Sequence, residues 1–134
     1  MPLRHGITAA SFHTLSKMTL RWQNIVIDCS DPLLVGSFWG EALGLELHGP
    51  DDGEWWIEPG GESPDILFLQ VPEGKSVKDR IHLDLRPDDQ AAEVERLISL
   101  GARRADIGQG EVTWVVMADP EGNEFCILRP RPTE

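Results

Sequence analysis

Two short stretches hold the residue types that could do chemistry. In "RIHLDLRPDD", residues 80–89, His82, Asp84 and Arg86 alternate with Leu83 and Leu85. In "NEFCIL", residues 123–128, Glu124 and Cys126 alternate with Phe125 and Ile127. Successive side chains on a strand point to opposite faces. His82, Asp84 and Arg86 should therefore share one face, and so should Glu124 and Cys126. An imidazole suits proton transfer near neutral pH. An imidazole, a carboxylate and a thiolate together suit a divalent metal such as zinc. Two plainer readings stand beside that one. The residues could shape a pocket, or they could simply pack, with Asp84 and Arg86 in an ion-pair ladder and Cys126 as a small core residue. No Lys or Arg within the strand argues for an activated Cys126 thiolate.

These stretches need elements to hold them, and the elements occur twice. "NIVIDCSDP", residues 24–32, alternates Ile25, Ile27 and Cys29 with Asn24, Val26 and Asp28, the pattern of a strand with one apolar face. Asp31-Pro32 reads as a helix start. A helix follows, with Leu34, Phe38 and Ala42 or Leu43 along one side and Gly44 as its stop. The second half repeats this. A strand at 81–86 leads to Pro87-Asp88-Asp89, then to a helix with Val94, Leu97 and Ile98 on one face and Gly101 at its end. Each helix is followed by three strand-like runs: 45–48, 54–58 and 65–71, then 103–107, 111–118 and 123–129. "GPDDG", "PGGESP", "GQG" and "DPEG" mark turns between them.

The fold class expected is α+β, with two βαβββ repeats forming curved mixed sheets around a cavity. Residues 20–130 would form one domain, in halves of about 20–72 and 79–130. Residues 1–19 would be an N-terminal extension and 131–134 a tail. A flexible arm, a short helix, a start at Met18 and a targeting peptide all fit the extension. Each sheet has one face covered by its own helix, so the other faces the cavity. That face carries Asn24, Val26, Asp28, His82, Asp84, Arg86, Glu124, Cys126 and Leu128. One of the adjacent pair Trp55 and Trp56 should face the cavity, and Trp114 is a further candidate. Trp39 should be core. Tryptophans lining a pocket suit a flat or apolar organic ligand. "PEGKSVKDR", residues 72–80, brings Lys75, Lys78 and Arg80 to the linker between halves. It reads as a solvated loop, with steering of an anionic ligand as the alternative.

Composition narrows the partners. With 12 Lys and Arg against 23 Asp and Glu, the formal net charge is −11. Neither nucleic acid nor an anionic membrane is expected as a partner, because both need clustered cations. No apolar run reaches the 18 or so residues of a membrane span. With no secretory signal, a cytoplasmic location is expected, with Cys29 and Cys126 as free thiols. No phosphate loop, dinucleotide fingerprint or GxSxG elbow occurs.

The pieces "VIDCSDP…FWGEALGLEL", "DRIHLDLRPDD" and "VVMADPEGNEFCIL" together resemble the vicinal oxygen chelate superfamily, which includes glyoxalase I, extradiol dioxygenases and bleomycin-resistance proteins. The likeness covers about residues 20–130 and is greatest to the small glyoxalase-like members. In metal-dependent members, ligands come from the first and last strands of each half. The resemblance carries a His onto His82. It places Asn24 where the first half would have a His, and Cys126 where the last strand would have a Glu, with Glu124 one pleat earlier. Gln70 ends the first half without an acid or a His.

The resemblance thus implies a small organic molecule as partner, a homodimer, and a family metal site that is incomplete. His82 and Glu124 are the catalytic candidates. Asn24, Trp55, Trp56, Asp84, Trp114 and Cys126 are the ligand-binding candidates. His82, Glu124 and Cys126 are the metal candidates. The first functional expectation is a protein that binds or transforms an apolar or aromatic compound without a cofactor. The second is a lyase or isomerase resembling glyoxalase I, using divalent Zn, Ni, Mn or Fe. The third is a non-catalytic dimerisation or regulatory module.

Overall fold

The computed structural model describes residues 21–131, so the expected extension and most of the expected tail lie outside the described residues. The first half runs β1 (Asn24–Cys29), α1 (Pro32–Leu43), β2 (Leu47–Asp51), β3 (Glu54–Ile57) and β4 (Asp65–Gln70). The second runs β5 (Leu83–Leu85), α2 (Gln90–Ser99), β6 (Arg103–Arg104), β7 (Val115–Ala118) and β8 (Glu124–Ile127). Each half makes a four-stranded mixed sheet, ordered β1-β4-β3-β2 and β5-β8-β7-β6. In both, the first strand pairs in parallel with the last and the remaining pairs are antiparallel. This is the doubled βαβββ arrangement, with two sheets that do not close on one another.

Helix ends follow the local chemistry. The Asp31 side chain accepts from the Leu34 N–H at 3.1 Å, Pro32 opens α1, and Gly44 closes it with a left-handed φ of 68°. Asp89 caps α2 in the same way through the Ala92 N–H, but that helix ends at Ser99 with Leu100 as its cap, before Gly101. The buried faces differ from the expected ones. On α1 it is Val35, Phe38 and Trp39 that are buried, while Leu34 is 48 % exposed. Gly36 explains the rotation: a Cβ there would lie 2.9 Å from a Leu47 methyl, so the glycine lets this side of the helix sit down on β2. On α2, Val94 and Leu97 are buried and Ile98 is exposed.

The strands of the second half are shorter than the alternation suggested. β6 stops at Arg104 because local turn bonds replace the ladder: Asp106 accepts from the Gly108 N–H and Gln109 from the Ile107 N–H. Trp114 falls just before β7, and His82 just before β5. In the first half the expected turn "GPDDG" is partly strand, because β2 continues to Asp51.

One core joins the halves. Phe38 and Trp39 of α1 pack against Phe125 of β8, with ring centroids 6.1 and 4.8 Å apart. The "DPEGN" turn adds polar bonds across the same seam. Asp119 is fully buried and accepts from Trp39 Nε1 at 3.0 Å, from the backbone N–H of Glu121 and Asn123, and from the Asn123 amide. The Glu121 carboxylate accepts from the Ser30 and Asp31 N–H groups at 2.6 and 2.7 Å.

Candidate functional site

Between β1 of one sheet and the β5–β8 side of the other lies a cleft of about 580 Å³. Its walls are largely apolar: Trp22, Ile25, Val26, Ile27, Trp39, Ile81, Leu83 and Phe125. Asn24, Asp28, Asp79, His82, Asn123 and Glu124 supply its polar groups. Consecutive residues 24–28 and 123–125 line it, so both faces of these segments reach the cleft. Phe125 and Ile127 belong to the core, and Glu124 and Cys126 stand on the opposite face of β8. That face is covered rather than open. Cys126 is only 5 % exposed.

The linker supplies much of the cover over Glu124. Lys75 Nζ lies 2.7 Å from Glu124 Oε2, and the Asp79 N–H donates to Glu124 Oε1 at 2.6 Å. Burial alone would raise the Glu124 carboxyl, but the Lys75 hydrogen bond and the Asp79 N–H outweigh it and hold the group below its ordinary value. Asp79 moves the other way, raised by its own burial and then by the charge of Glu124. Residues 75–79 thus strap the linker onto β8.

His82 has different neighbours. Its Nε2 lies 3.2 Å from Asp84 Oδ1, and Asp84 pairs in register with Cys126 on the adjacent parallel strand. The ligand atoms of His82, Asp84 and Cys126 all lie within 4.8 Å of one another. Burial and then the Asp84 carboxylate push the Cys126 thiol up, so it stays protonated at neutral pH. Cys29, the other free thiol, is pushed up to about 12 by burial and then by Glu121 and other nearby acids. Neither is an activated nucleophile.

The structure therefore groups the sequence candidates unevenly. His82, Asp84 and Cys126 come together, whereas Glu124 is held by Lys75. Asn24, His82 and Glu124 line the cleft. Trp55 packs on the core, Trp56 stacks on His48 and donates to Glu58, and Trp114 is 39 % exposed; none of the three lines the cleft. Trp22 and Trp39 line it instead. Trp22 lies two positions before β1, outside the strand alternation on which the site faces were read. Trp39 is core as expected, and wall as well.

A metal held between the two halves does not fit these residues. The first half presents the Asn24 carboxamide and an exposed Gln70, both poor ligands for transition metals, and Glu124 is committed to Lys75. The His82, Asp84 and Cys126 set, drawn from the second half alone, has the donor types and spacing that zinc accepts.

The family model for a glyoxalase-like domain matches residues 24–128. No curated protein matches the chain. Among solved structures, a glyoxalase/bleomycin resistance protein/dioxygenase family enzyme from Burkholderia phytofirmans is 17 % identical, with 84 % of this chain and 100 % of that one covered and a TM-score of 0.60. An antibiotic-binding protein from a Streptomyces species is 22 % identical over 85 % of this chain and 99 % of its own, with a TM-score of 0.58. A fosfomycin resistance protein from Mesorhizobium loti is 14 % identical over 83 % and 92 %, with a TM-score of 0.63. At such identities these likenesses speak for the fold. No helix among the described residues is long and apolar enough to cross a membrane. The match over 24–128, together with the paired βαβββ sheets, places the chain in the glyoxalase-like domain family of the vicinal oxygen chelate superfamily.

Proposed function

We propose that this chain binds a small apolar or aromatic molecule in the inter-sheet cleft, and that it does so without the metal centre that metal-dependent relatives build between their halves. The cleft itself carries the reading: about 580 Å³ of largely apolar wall with a few convergent polar groups, the usual form of a small-molecule site. His82 is the group on that wall suited to a hydrogen bond or a proton transfer. Trp22 and Trp39 would report an occupant through their fluorescence. The test is to titrate a panel of aromatic compounds and follow tryptophan quenching in the wild type and in Val26→Trp, which narrows the cleft. Binding that Val26→Trp weakens supports the reading, and binding it leaves untouched places the site elsewhere. His82→Ala then separates roles: a sequestering protein keeps its ligand, whereas an enzyme loses turnover. A panel that gives no quenching at all would favour a regulatory or dimerisation module.

The His82, Asp84 and Cys126 cluster favours one second reading, a metal-dependent lyase or isomerase. An ion held there would polarise adjacent oxygens of a substrate. Metal analysis of protein purified without chelator tests this, followed by Zn, Ni, Mn and Fe(II) additions with thermal stability as readout. One stoichiometric ion that is lost in His82→Ala supports it. We further propose a homodimer, supported by the exposed apolar side chains of Trp22, Val26 and Ile81 around the cleft, and checked by sedimentation velocity.

A further inference from the structure

The cleft adjoins a second, more polar cavity of about 250 Å³, and Asp28, Asp79 and Asn123 line both. Among the described residues no Lys or Arg lines the cleft, which carries three carboxylates. Their charges are not balanced. Asp79 and Glu124 share the ammonium of Lys75, at 3.8 and 2.7 Å, and the charge of Lys78 adds a weaker pull on Glu124. The Asp28 side chain is exposed and has no hydrogen-bond or ion-pair partner among the described residues. The nearby Lys78 ammonium donates to the Asp79 carbonyl and lies outside both linings. In the second cavity Glu73 and Glu121 add acids, and Lys75 is the one cationic side chain of its lining among the described residues. An apolar chamber thus opens onto a seam with surplus negative charge, in a chain of net charge −11.

We infer that the site selects amphiphilic organic cations, with an aromatic or aliphatic body in the apolar chamber and an ammonium or guanidinium head at the Asp28–Asp79 seam. This rests on the cleft being the binding site. Two physical effects favour such a ligand. The indole faces attract a cation as well as an apolar ring. The exposed Asp28 carboxylate offers a cationic head a charge-assisted hydrogen bond, stronger than the one a neutral donor makes and closed to an anion by repulsion.

Three probes of one shape test it: 1-naphthylmethylamine, 1-naphthylmethanol and 1-naphthylacetate, with ligand-observed NMR as readout. The amine should bind about tenfold more tightly than the alcohol, the equivalent of about 1.4 kcal/mol, with the carboxylate weakest. Added salt should narrow that ratio. Asp28→Asn should collapse it to within about twofold, and Asp79→Asn should reduce it less, because Lys75 already serves that group. Equal affinity for amine and alcohol, or a ratio that survives both substitutions, overturns the charge selection while the cleft stands. Failure of all three probes to bind overturns the cleft reading and this inference with it.

Discussion

The two sheets share a strand order but not a composition. The first half has a six-residue β1 and a twelve-residue helix that carries Phe38 and Trp39 into the core. Its second counterpart has a three-residue β5 and a two-residue β6, and its helix buries only Val94 and Leu97. Most of the titratable groups around the site come from the linker and the second half: Asp79, His82, Asp84, Glu124 and Cys126. From the first half come Asp28 and the Asn24 carboxamide, which does not titrate. One half thus supplies mainly wall and support, and the other supplies mainly polar chemistry. A duplicated unit needs only one copy of each. The smaller second half leans on the first through Phe125 and the Asp119 and Glu121 bonds.

Four substitutions probe how far the second half depends on the first. Phe125→Ala removes the ring that meets both α1 aromatics, and should cost about 4 kcal/mol in urea denaturation, with a single transition for both halves. Two separated transitions would show instead that the halves fold independently. Asp119→Ala leaves the Trp39 indole and the turn N–H groups without their acceptor, and should cost about 3 kcal/mol by the same measurement. Glu121→Gln keeps the shape but removes the charge that faces the Ser30 and Asp31 N–H groups, for about 1 kcal/mol.

Glu124→Gln should have the smallest effect, no more than about 1 kcal/mol at neutral pH. Its sign depends on pH. Glu124 sits below its ordinary value when folded, so its contribution is present above the normal carboxylate range and is lost as the pH falls through the lower folded value. Asp79, raised when folded, weakens the fold at neutral pH and stops doing so on acidification. The gap between wild type and Glu124→Gln should therefore close in acid when thermal melts are compared across pH. A gap that stays constant would mean that the strap is held by packing rather than by charge.

Much of this was legible beforehand. The two-residue period of 24–29 and the Asp-Pro and Asp-Asp helix starts are local signals, and the structure reproduces them. The opposite facing of Phe125 and Glu124 follows from the pleat alone. The rotation of α1 was not legible, because it depends on Gly36 meeting Leu47, a contact with a different element. The short β6 lost to side-chain turn bonds that compete with the ladder. At the site, the closeness of His82, Asp84 and Cys126 depends on β5 and β8 pairing in parallel at one register. The capture of Glu124 by Lys75 depends on how a linker folds back, which no periodicity encodes. Turn signals marked "DPEG" but could not show that its acids reach into the other half.

Trp39 stands at three places at once. It packs on Phe125, donates to Asp119 and forms part of the cleft wall. A guest that fills the cleft therefore rests on the same indole that fastens one half to the other. Occupancy and unfolding become a single linked equilibrium, in which a binder of the native cleft raises the melting temperature with the logarithm of its concentration. A thermal-shift screen would then report any guest of this cleft without an activity assay.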